Sequence, residues 1–484
     1  MEFTKSSQSL KTAYFIGITA IVVAGIGTLV AVIVPEPPLL IGVVFVLGFI
    51  LILLYRPTIS LYIFLLFWPI YPSVNRLLLH GSDNSILRLW QEAVLLLGIL
   101  GIVLRIVLAK SCKLRVKSLD WVVLSLLAMS VYGSLLAFDP SLIIYGFHLT
   151  YTPVLMYFLV RLLPLRASQI RHWVESFLMV NLAIALIGIY IHFTDPVSYY
   201  LQMVPMESIG TLARMGRWRM ASILANPLYF GILMALGATL SLALAFQEKK
   251  SFKRWYRLAA FAVFTACTWL SITRGAWFML AAGTVIVLWG YFRQKRSRMI
   301  WALFGISAAI FVGLVVLVTF RTGLEIYLSD SSGFLLEGRF DQWRSTWEAI
   351  SKAPWGYGLG VGQAALRAGN TEIVTIYDGW YLKVLAEGGV LGIVVFAVFM
   401  IITVRFLVSR IAKARDKSLY YLYLGVLAVF VGLSLAAIGS NVWDYYIVPS
   451  VMWVLIGFMV TLVDSSTVDS ICMWGKTAVR KTQA

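Results

Sequence analysis

Residues 388–404 read GGVLGIVVFAVFMIITV, a stretch without a charged side chain that lies between Glu387 and Arg405. An α-helix needs about 20 predominantly apolar residues to cross the roughly 30 Å hydrocarbon core of a bilayer. With the residues before it, this stretch forms an apolar run over 379–404, which is long enough to span a membrane. The run therefore predicts a transmembrane helix.

Similar runs occur along the whole chain. They lie at 12–34, 38–54, 58–71, 89–109, 121–138, 142–160, 173–193, 227–246, 256–273, 275–292, 299–320, 419–438 and 446–463. Of the 484 residues, 60% are hydrophobic and 13% are charged, whereas soluble domains are about 45–50% apolar and about 25% charged. We therefore expect an all-α polytopic membrane helix bundle of about 14 transmembrane helices, with a large outer loop that carries short amphipathic helices.

The formal net charge of +18 is unevenly distributed between the loops. Alternate loops and tails carry 28 of the 40 Lys and Arg residues, and the other set carries 12. With the acidic residues included, the two faces have net charges of +21 and −3. The positive-inside rule places the basic face and both termini in the cytoplasm of a plasma (inner) membrane protein. The charge is thus a topology signal, and no nucleic-acid partner is expected.

Several function classes are excluded by missing motifs. The three cysteines are too few for a disulfide scaffold, and no CxxC or HExxH spacing indicates a zinc site. No GxxxxGK[ST] motif occurs, and the loops on the basic face are too short for a nucleotide-binding domain. We expect no cofactor and no metal, and any energy for the reaction must come from the substrate or from a gradient.

Two long segments, 194–226 and 321–378, lie on the outer face. In the second, Phe340, Trp343, Trp347 and Ile350 recur at helical spacing, which predicts a short amphipathic helix lying on the outer leaflet or over a cavity. The alternative is a helix that only anchors the protein at the interface.

Next comes the glycine-rich sequence 354–362, PWGYGLGVG. It is not a dinucleotide-binding fingerprint, because neither a strand nor a βαβ unit surrounds it. Its glycines allow the backbone to approach a ligand or to pack tightly in a plain loop.

Arginines are also concentrated on the outer face. Arg214, Arg217 and Arg219 form one cluster, and Arg274 lies in a very short connection between two apolar runs. An arginine at such depth is costly unless it faces a cavity or a partner. Because guanidinium binds phosphate oxygens bidentately, converging arginines would suit a diphosphate. The alternative is contact with lipid headgroups.

Four segments in order resemble the bacterial O-antigen ligase and Wzy-type polymerase superfamily. They are 219–227 (RMASILANP), 273–277 (TRGAW), 338–362, which runs from Gly-Arg through Trp347 and Pro354 to the glycines, and 381–392 (YLKVLAEGGVLG). Each motif alone is weak, but the ordered set is fairly specific. The resemblance divides the chain into N-terminal transmembrane helices (1–193), a ligase-like motif region (194–404, with outer loop 321–378), C-terminal transmembrane helices (405–463) and a cytoplasmic tail (464–484).

The resemblance implies a metal-independent glycosyltransferase that takes a saccharide from a polyprenyl diphosphate donor at the outer face. The acceptor is a glycan or another lipid-linked repeat unit, membrane lipids surround the site, and a flippase and a chain-length regulator are implied as partners. By the same resemblance, Arg274 has a catalytic role and the diphosphate-binding residues are Arg219, Arg274, Arg217 and Arg339. The supporting residues are Asn226, Trp347, Gly358, Gly360, Tyr381 and Glu387.

The chain departs from the family at the expected histidine. The family usually has His-Asn before the Tyr-Leu helix, whereas this chain has Asp378-Gly379. Asp378 can serve as the general base, since a carboxylate near a membrane surface can have a raised pKa. The alternative is that Asp378 caps the helix. Glu387 falls inside the membrane span, so it needs a partner or a cavity.

The expected function is the polymerisation of repeat units of a surface or exopolysaccharide. One alternative is an O-antigen ligase that transfers glycan to lipid A core or another acceptor. A small-anion (bicarbonate-like) transporter is a second, and a non-catalytic scaffold in polysaccharide export is a third. A transporter should have paired inverted repeats or broken helices, and the sequence indicates neither.

The charge asymmetry predicts the topology. Reporter fusions at Lys250, Arg296 and Lys413 should report a cytoplasmic location, and fusions at Ser208 and Ser331 an external one, because Lys and Arg are retained on the inner side. A cytoplasmic signal at Ser331 would invert the topology and remove the argument for a lipid diphosphate.

Overall fold

A computed structural model describes most of the chain. The described residues are 48–71, 90–109, 116–137, 139–163, 165–203, 212–214, 217–248, 252–295, 337–361, 379–444 and 447–466. Within them the protein is a bundle of α-helices, apart from a π-helix, a 3₁₀ turn and one β-hairpin of two short strands. The predicted fold class is confirmed.

The elements are numbered in chain order. The helices are α1 (Thr58–Phe67), α2 (Trp90–Ala109), α3 (Ser118–Leu136), α4 (Pro140–Gly146), α5 (Thr152–Leu162), α6 (Ala167–Thr194), α7 (Pro196–Met203), α8 (Pro227–Gln247), α9 (Phe252–Leu270), α10 (Arg274–Lys295), α11 (Glu337–Lys352), α12 (Trp380–Lys413), α13 (Lys417–Ala436) and α14 (Ile447–Ser466). A π-helix (Phe147–Tyr151) joins α4 to α5, and a 3₁₀ turn (Ser222–Leu224) precedes α8. The strands β1 (Ala213–Arg214) and β2 (Arg217–Trp218) form the hairpin.

Seven of the described helical segments are long and apolar enough to cross a membrane. They are Ser118–Leu136, Leu142–Leu162, Ala167–Thr194, Pro227–Gln247, Arg274–Gln294, Trp380–Lys413 and Lys417–Ala436. Shorter apolar helices cover Thr58–Phe67, Gln91–Leu104 and Ile447–Val463. The predicted spans 12–34 and 299–320 lie outside the described residues, so the total of about 14 stays a prediction.

The centre of the bundle is formed by α8 and α13. Helix α8 has no charged residue and is apolar on every side, which is typical of a helix that other helices surround. It packs against α9, α10 and α13. Its first turn is fixed by Asn226, whose Oδ1 accepts hydrogen bonds from the backbone N–H groups of Leu228 (2.9 Å) and Tyr229 (3.3 Å). The start of α8, which follows the segment that carries Arg219, is thereby held in place.

The two ends of the bundle differ in chemistry. One end, which we call the basic end, carries ion pairs such as Arg161–Asp120 (3.0 Å) and Arg171–Asp416 (2.9 Å). The other, which we call the motif end, brings together residues 219–226, 271–275, 354–361, 379–387 and 437–444 through direct contacts. The charge asymmetry predicts that the basic end is cytoplasmic and the motif end external.

Helix α12 is broken near the motif end. Gly389 has φ 60° and ψ −156°, which is not helical, and the glycine-rich loop enters the break. Tyr357 N–H donates to Ala386 O (2.7 Å), Gly358 N–H to Glu387 O (3.2 Å) and Val390 N–H to Pro354 O (2.9 Å). The interpretation that the chain has no broken helix is therefore wrong: the apolar run is continuous in sequence but not in backbone geometry.

The break depends on Gly356. Its φ is +99°, and a Cβ atom there would lie 2.6 Å from Gly389 N and 2.7 Å from Glu387 O. Gly356→Ala should lower the free energy of unfolding by about 2 kcal/mol or more, because backbone strain adds to overpacking. Thermal unfolding in detergent measures this loss. Gly48→Ala is the control, since no atom of the described residues lies within 4 Å of a Cβ placed on Gly48, and equal melting of the two variants would contradict the tight fit.

Candidate functional site

The turn before α10 positions Arg219 next to Arg274. The Arg219 side chain donates from Nε to Ser271 O (3.1 Å) and from Nη2 to Thr273 Oγ1 (2.9 Å). Thr273 Oγ1 in turn donates to Pro227 O (3.1 Å), at the start of α8. Arg274 follows directly as the first residue of α10 and is half-buried. The structure thus brings two of the predicted diphosphate-binding arginines to one turn, residues 271–274, which we call the arginine turn.

Tyr200 holds the segment that carries Arg219. Its buried phenol oxygen accepts hydrogen bonds from the backbone N–H groups of Ala221 (2.8 Å) and Ser222 (3.0 Å). Burial raises the pKa of Tyr200 to about 12, so the phenol stays neutral at physiological pH. Met220 N–H donates to Leu270 O (3.0 Å), which ties the same segment to the end of α9.

Three residues around the arginine turn adopt a left-handed backbone. Ser222, Ala225 and Ile272 have φ values of 53°, 50° and 49°. This conformation is uncommon for residues other than glycine and strained for a β-branched side chain such as that of Ile272. Strain of this kind persists only where the surrounding structure imposes it, and it is frequent at functional sites.

A second turn, residues 437–444, closes the gap between the arginine turn and α12. We call it the closing turn. A Cβ atom placed on Gly275 would lie 3.6 Å from Ser440 Oγ, so the beginning of α10 contacts this turn. On its other side, Trp380 N–H donates to Ala437 O (2.9 Å). The closing turn therefore contacts the start of α10 on one side and the start of α12 on the other.

Beneath the closing turn lies a buried charge network. Lys383 Nζ contacts Asp444 Oδ1 (2.5 Å), Thr150 Oγ1 (2.9 Å) and Glu387 Oε1 (3.6 Å). Thr150 Oγ1 also donates to Asp444 Oδ1 (3.1 Å). Lys383, Glu387 and Asp444 are 2%, 5% and 0% exposed. The ammonium also lies 5.1 Å from the centre of the Trp380 ring. The partner that Glu387 needs is thus supplied within its own helix, four residues away.

Glu387 also connects the network to the glycine-rich loop. Gly360 N–H donates to Glu387 Oε1 (3.2 Å). The carboxylate lines a small cavity, with about 40 Å³ available to water, which is room for a few water molecules. The aromatic side chains around this cavity are Tyr151, Trp380, Phe396, Trp443 and Trp453.

The remaining predicted site residues lie in different environments, some packed against other helices and one exposed. The hydroxyl of Tyr381 donates to Ser434 O (2.8 Å), which ties α12 to α13. Gly358 packs against the backbone at Ala137, and such close protein packing supports a structural role for the loop. Trp347 is 63% exposed on α11, whereas Ile350 is 6% exposed and packs near Ala386.

Some predicted residues cannot be placed. Asp378 lies outside the described residues, as do the side chains of Arg217 and Arg339. The structure assigns the N-cap position of α12 to the next residue, Gly379, and both interpretations of Asp378, as the base and as a helix cap, stay predictions.

Sequence reasoning missed Lys383, Asp444, Thr150 and Tyr200. The spacing of Lys383 and Glu387 is a signal that could have been used, because charges four residues apart lie on one helix face. Nothing local in the sequence predicts that Asp444 and Thr150 meet this pair, since they are 61 and 233 residues away from Lys383.

The arrangement can be compared with known families. Residues 259–397 match the O-antigen ligase family. The resemblance inferred from the motifs is confirmed for this segment, which runs from α9 through Arg274, the glycine-rich loop and Asp378 into α12. Arg219 and Asn226 precede the matched segment. No curated protein matches the chain.

The role of the Tyr200 hydroxyl as acceptor for two backbone N–H groups can be tested by mutation. Tyr200→Phe should lower the free energy of unfolding by roughly 2–6 kcal/mol, because two buried N–H groups lose their acceptor and each costs about 1–3 kcal/mol. Thermal or denaturant unfolding in detergent measures the loss. Tyr190→Phe is the matched control, since Tyr190 is 70% exposed on α6. A silent Tyr200→Phe variant would mean that the hydroxyl does not hold the segment.

Proposed function

We propose that this protein transfers a saccharide from a polyprenyl diphosphate donor to a glycan or lipid-linked acceptor at the external face of the plasma membrane. The observation that carries the proposal is the meeting of Arg219 and Arg274 at one turn, beside the start of α12, around a segment that matches the O-antigen ligase family. The reaction that fits best is the polymerisation of repeat units of a surface or exopolysaccharide.

The proposed chemistry needs no nucleotide. The acceptor hydroxyl attacks the anomeric carbon, a new C–O bond forms there, and the bond to the diphosphate oxygen breaks. Negative charge then develops on the departing diphosphate. A guanidinium fixed beforehand stabilises that charge without reorganisation, and this is the role proposed for Arg274, with Arg217 and Arg339 as further diphosphate ligands. Arg219 already donates to Ser271 and Thr273, so it positions the turn and adds positive charge.

The acceptor proton requires a base. Asp378 is the proposed acceptor of this proton, because it directly precedes Gly379 and Trp380 at the edge of the closing turn. The N-cap position of α12 is occupied by Gly379, which leaves capping a weaker explanation for the acidic residue.

The cellular setting follows from the same proposal. The protein would act in the inner membrane with both termini in the cytoplasm, without a metal ion. It would receive flipped lipid-linked repeat units from a flippase and work beside a chain-length regulator.

A deletion strain tests the proposal and separates its two forms. Loss of long chains with a single repeat unit retained would support a polymerase. Lipid-linked polymer that accumulates without reaching lipid A or another final acceptor would support a ligase. Unchanged surface glycans in the deletion strain would contradict both.

A small-anion transporter is the second candidate, and the broken helix α12 is the observation that favours it. The backbone groups at the break, however, bond to the glycine-rich loop instead of remaining available to an ion. Bicarbonate flux into liposomes that contain the purified protein, without transfer of saccharide, would favour the transporter.

Both arginines should lose activity when they are replaced by lysine. Arg274→Lys should lower polymer formation by about 10- to 100-fold, since bidentate charged hydrogen bonds to the diphosphate are lost but the charge stays. Arg219→Lys should lower activity and melting temperature together, because it loses the bonds to Ser271 and Thr273. Polymer length in the complemented deletion strain is the readout.

A matched control for these variants lies on α11. Arg344→Lys changes a side chain that is 82% exposed and pairs with Glu348, so it should leave polymer length unchanged. If Arg274→Lys is equally silent, Arg274 only contacts headgroups.

The proposed base makes a separate prediction. Asp378→Asn and Asp378→Ala should both lower activity by about 10²–10⁴-fold, as expected for a positioned proton acceptor, with melting unchanged. Asp378→His should recover part of the rate. Polymer formation by membranes from each strain measures the effect. Asp195→Asn serves as the control, since Asp195 is an exposed carboxylate after α6 that accepts a bond from Ser198 N–H (3.0 Å). Full activity of Asp378→Asn would remove the proton-acceptor role.

A further inference from the structure

The buried network around Lys383 joins four separate parts of the motif end. Lys383 and Glu387 belong to α12, Asp444 to the closing turn and Thr150 to the π-helix, and Gly360 of the glycine-rich loop donates to Glu387. The chemistry proposed above uses none of these side chains. Burying a charged group costs free energy unless the group is paired. The presence of these buried charges therefore indicates a structural or functional role.

The charges in this network are unequal in number. The ammonium group of Lys383 contacts two carboxyl groups, those of Glu387 and Asp444, so both depend on Lys383 for a compensating charge. Asp444 Oδ2 is buried and has no hydrogen-bond partner among the residues that the structure describes. Asp444 is therefore held by contacts to Oδ1 alone, from Lys383 and Thr150. Without the ammonium, Thr150 would be the remaining polar contact of this side chain.

The position of the closing turn matters for the proposed site. Its first residue accepts the N–H of Trp380, and Ser440 lies against the start of α10. A shift of this turn would change the spacing between Arg274 and the start of α12. Displacements of about 1 Å can lower an enzymatic rate by about 10²-fold.

We propose that Lys383 is a positioning residue that holds the closing turn against α12 through Asp444, and thereby fixes the gap in which the diphosphate and the acceptor meet. This inference rests on the function proposed above. Lys383 touches neither the substrate nor the reacting atoms in this role.

The first arm of the experiment separates positioning from stability. Lys383→Met leaves two buried carboxyl groups without the ammonium, so its melting temperature should fall. The double variant Lys383→Met/Asp444→Asn keeps the net charge of the native network and an acceptor for Thr150, so melting should return towards the native value. The kcat of both variants should be about 10²-fold lower, with the KM for the lipid-linked donor within about twofold, because Arg274 is retained.

A matched control breaks an equivalent pair at the basic end. Arg161→Met/Asp120→Asn removes a buried ion pair of 3.0 Å that contacts Tyr157. This variant should lower the melting temperature and leave kcat unchanged. Recovery of kcat together with melting in Lys383→Met/Asp444→Asn would overturn the proposal, since the network would then act on stability alone.

The second arm does not depend on activity. Ser440 is 9% exposed, so a cysteine at this position should react slowly with a maleimide. In purified protein that carries Ser440→Cys, Cys112→Ser and Cys472→Ser, loss of Lys383 and Asp444 should accelerate labelling about tenfold or more, because local opening exposes the turn. The remaining Cys267 is 0% exposed.

The outcomes distinguish the two proposals. Unchanged labelling after Lys383→Met/Asp444→Asn would overturn the positioning role, whatever the activity of the native protein. Faster labelling in a protein that transfers no saccharide would support the tie between turn and helix, and would overturn the proposed function instead.

Discussion

The motif end depends on a single constraint: backbone groups at membrane depth must find partners inside the protein. In hydrocarbon no water replaces a lost helical hydrogen bond. Helix α12 breaks at Gly389, and the loop 354–358 accepts and donates the bonds that the break leaves open. The position of Glu387, two residues before the break, follows from this exchange. The loop, the helix and the buried charges therefore form one unit.

That unit combines two kinds of interaction. The loop meets α12 through neutral backbone hydrogen bonds, which depend little on side-chain identity. The charge network depends entirely on side-chain identity, because the positive charge of one lysine compensates for buried carboxyl groups, whose charged form burial disfavours. The aromatic rings of Phe396, Phe399 and Trp443 pack around the same region. Apolar packing gives the motif end its rigidity, and the charges determine which surfaces meet.

Much of the bundle could be predicted because its elements are encoded locally. Apolar runs predicted the spans of α3, α8 and α13 to within a few residues, and helical spacing predicted α11. The break at Gly389 could not be predicted, since hydropathy reports composition and not backbone angles. Candidate residues such as Arg219 and Arg274 were identified from motifs. The pairing of Lys383 with Asp444 is a tertiary contact that no local pattern contains.

The left-handed backbone of residues around the arginine turn lowers the stability of the protein, but it fixes the geometry of that turn. Asparagine or glycine at Ile272 or Ala225 would relax the backbone at little steric cost. Selection for thermostability alone should therefore favour such replacements, and each would let the turn explore conformations that isoleucine and alanine now exclude. Proteins commonly retain strain where activity needs a fixed geometry. Relatives that evolved for heat resistance would have to reinforce other parts of the bundle instead of relaxing this turn.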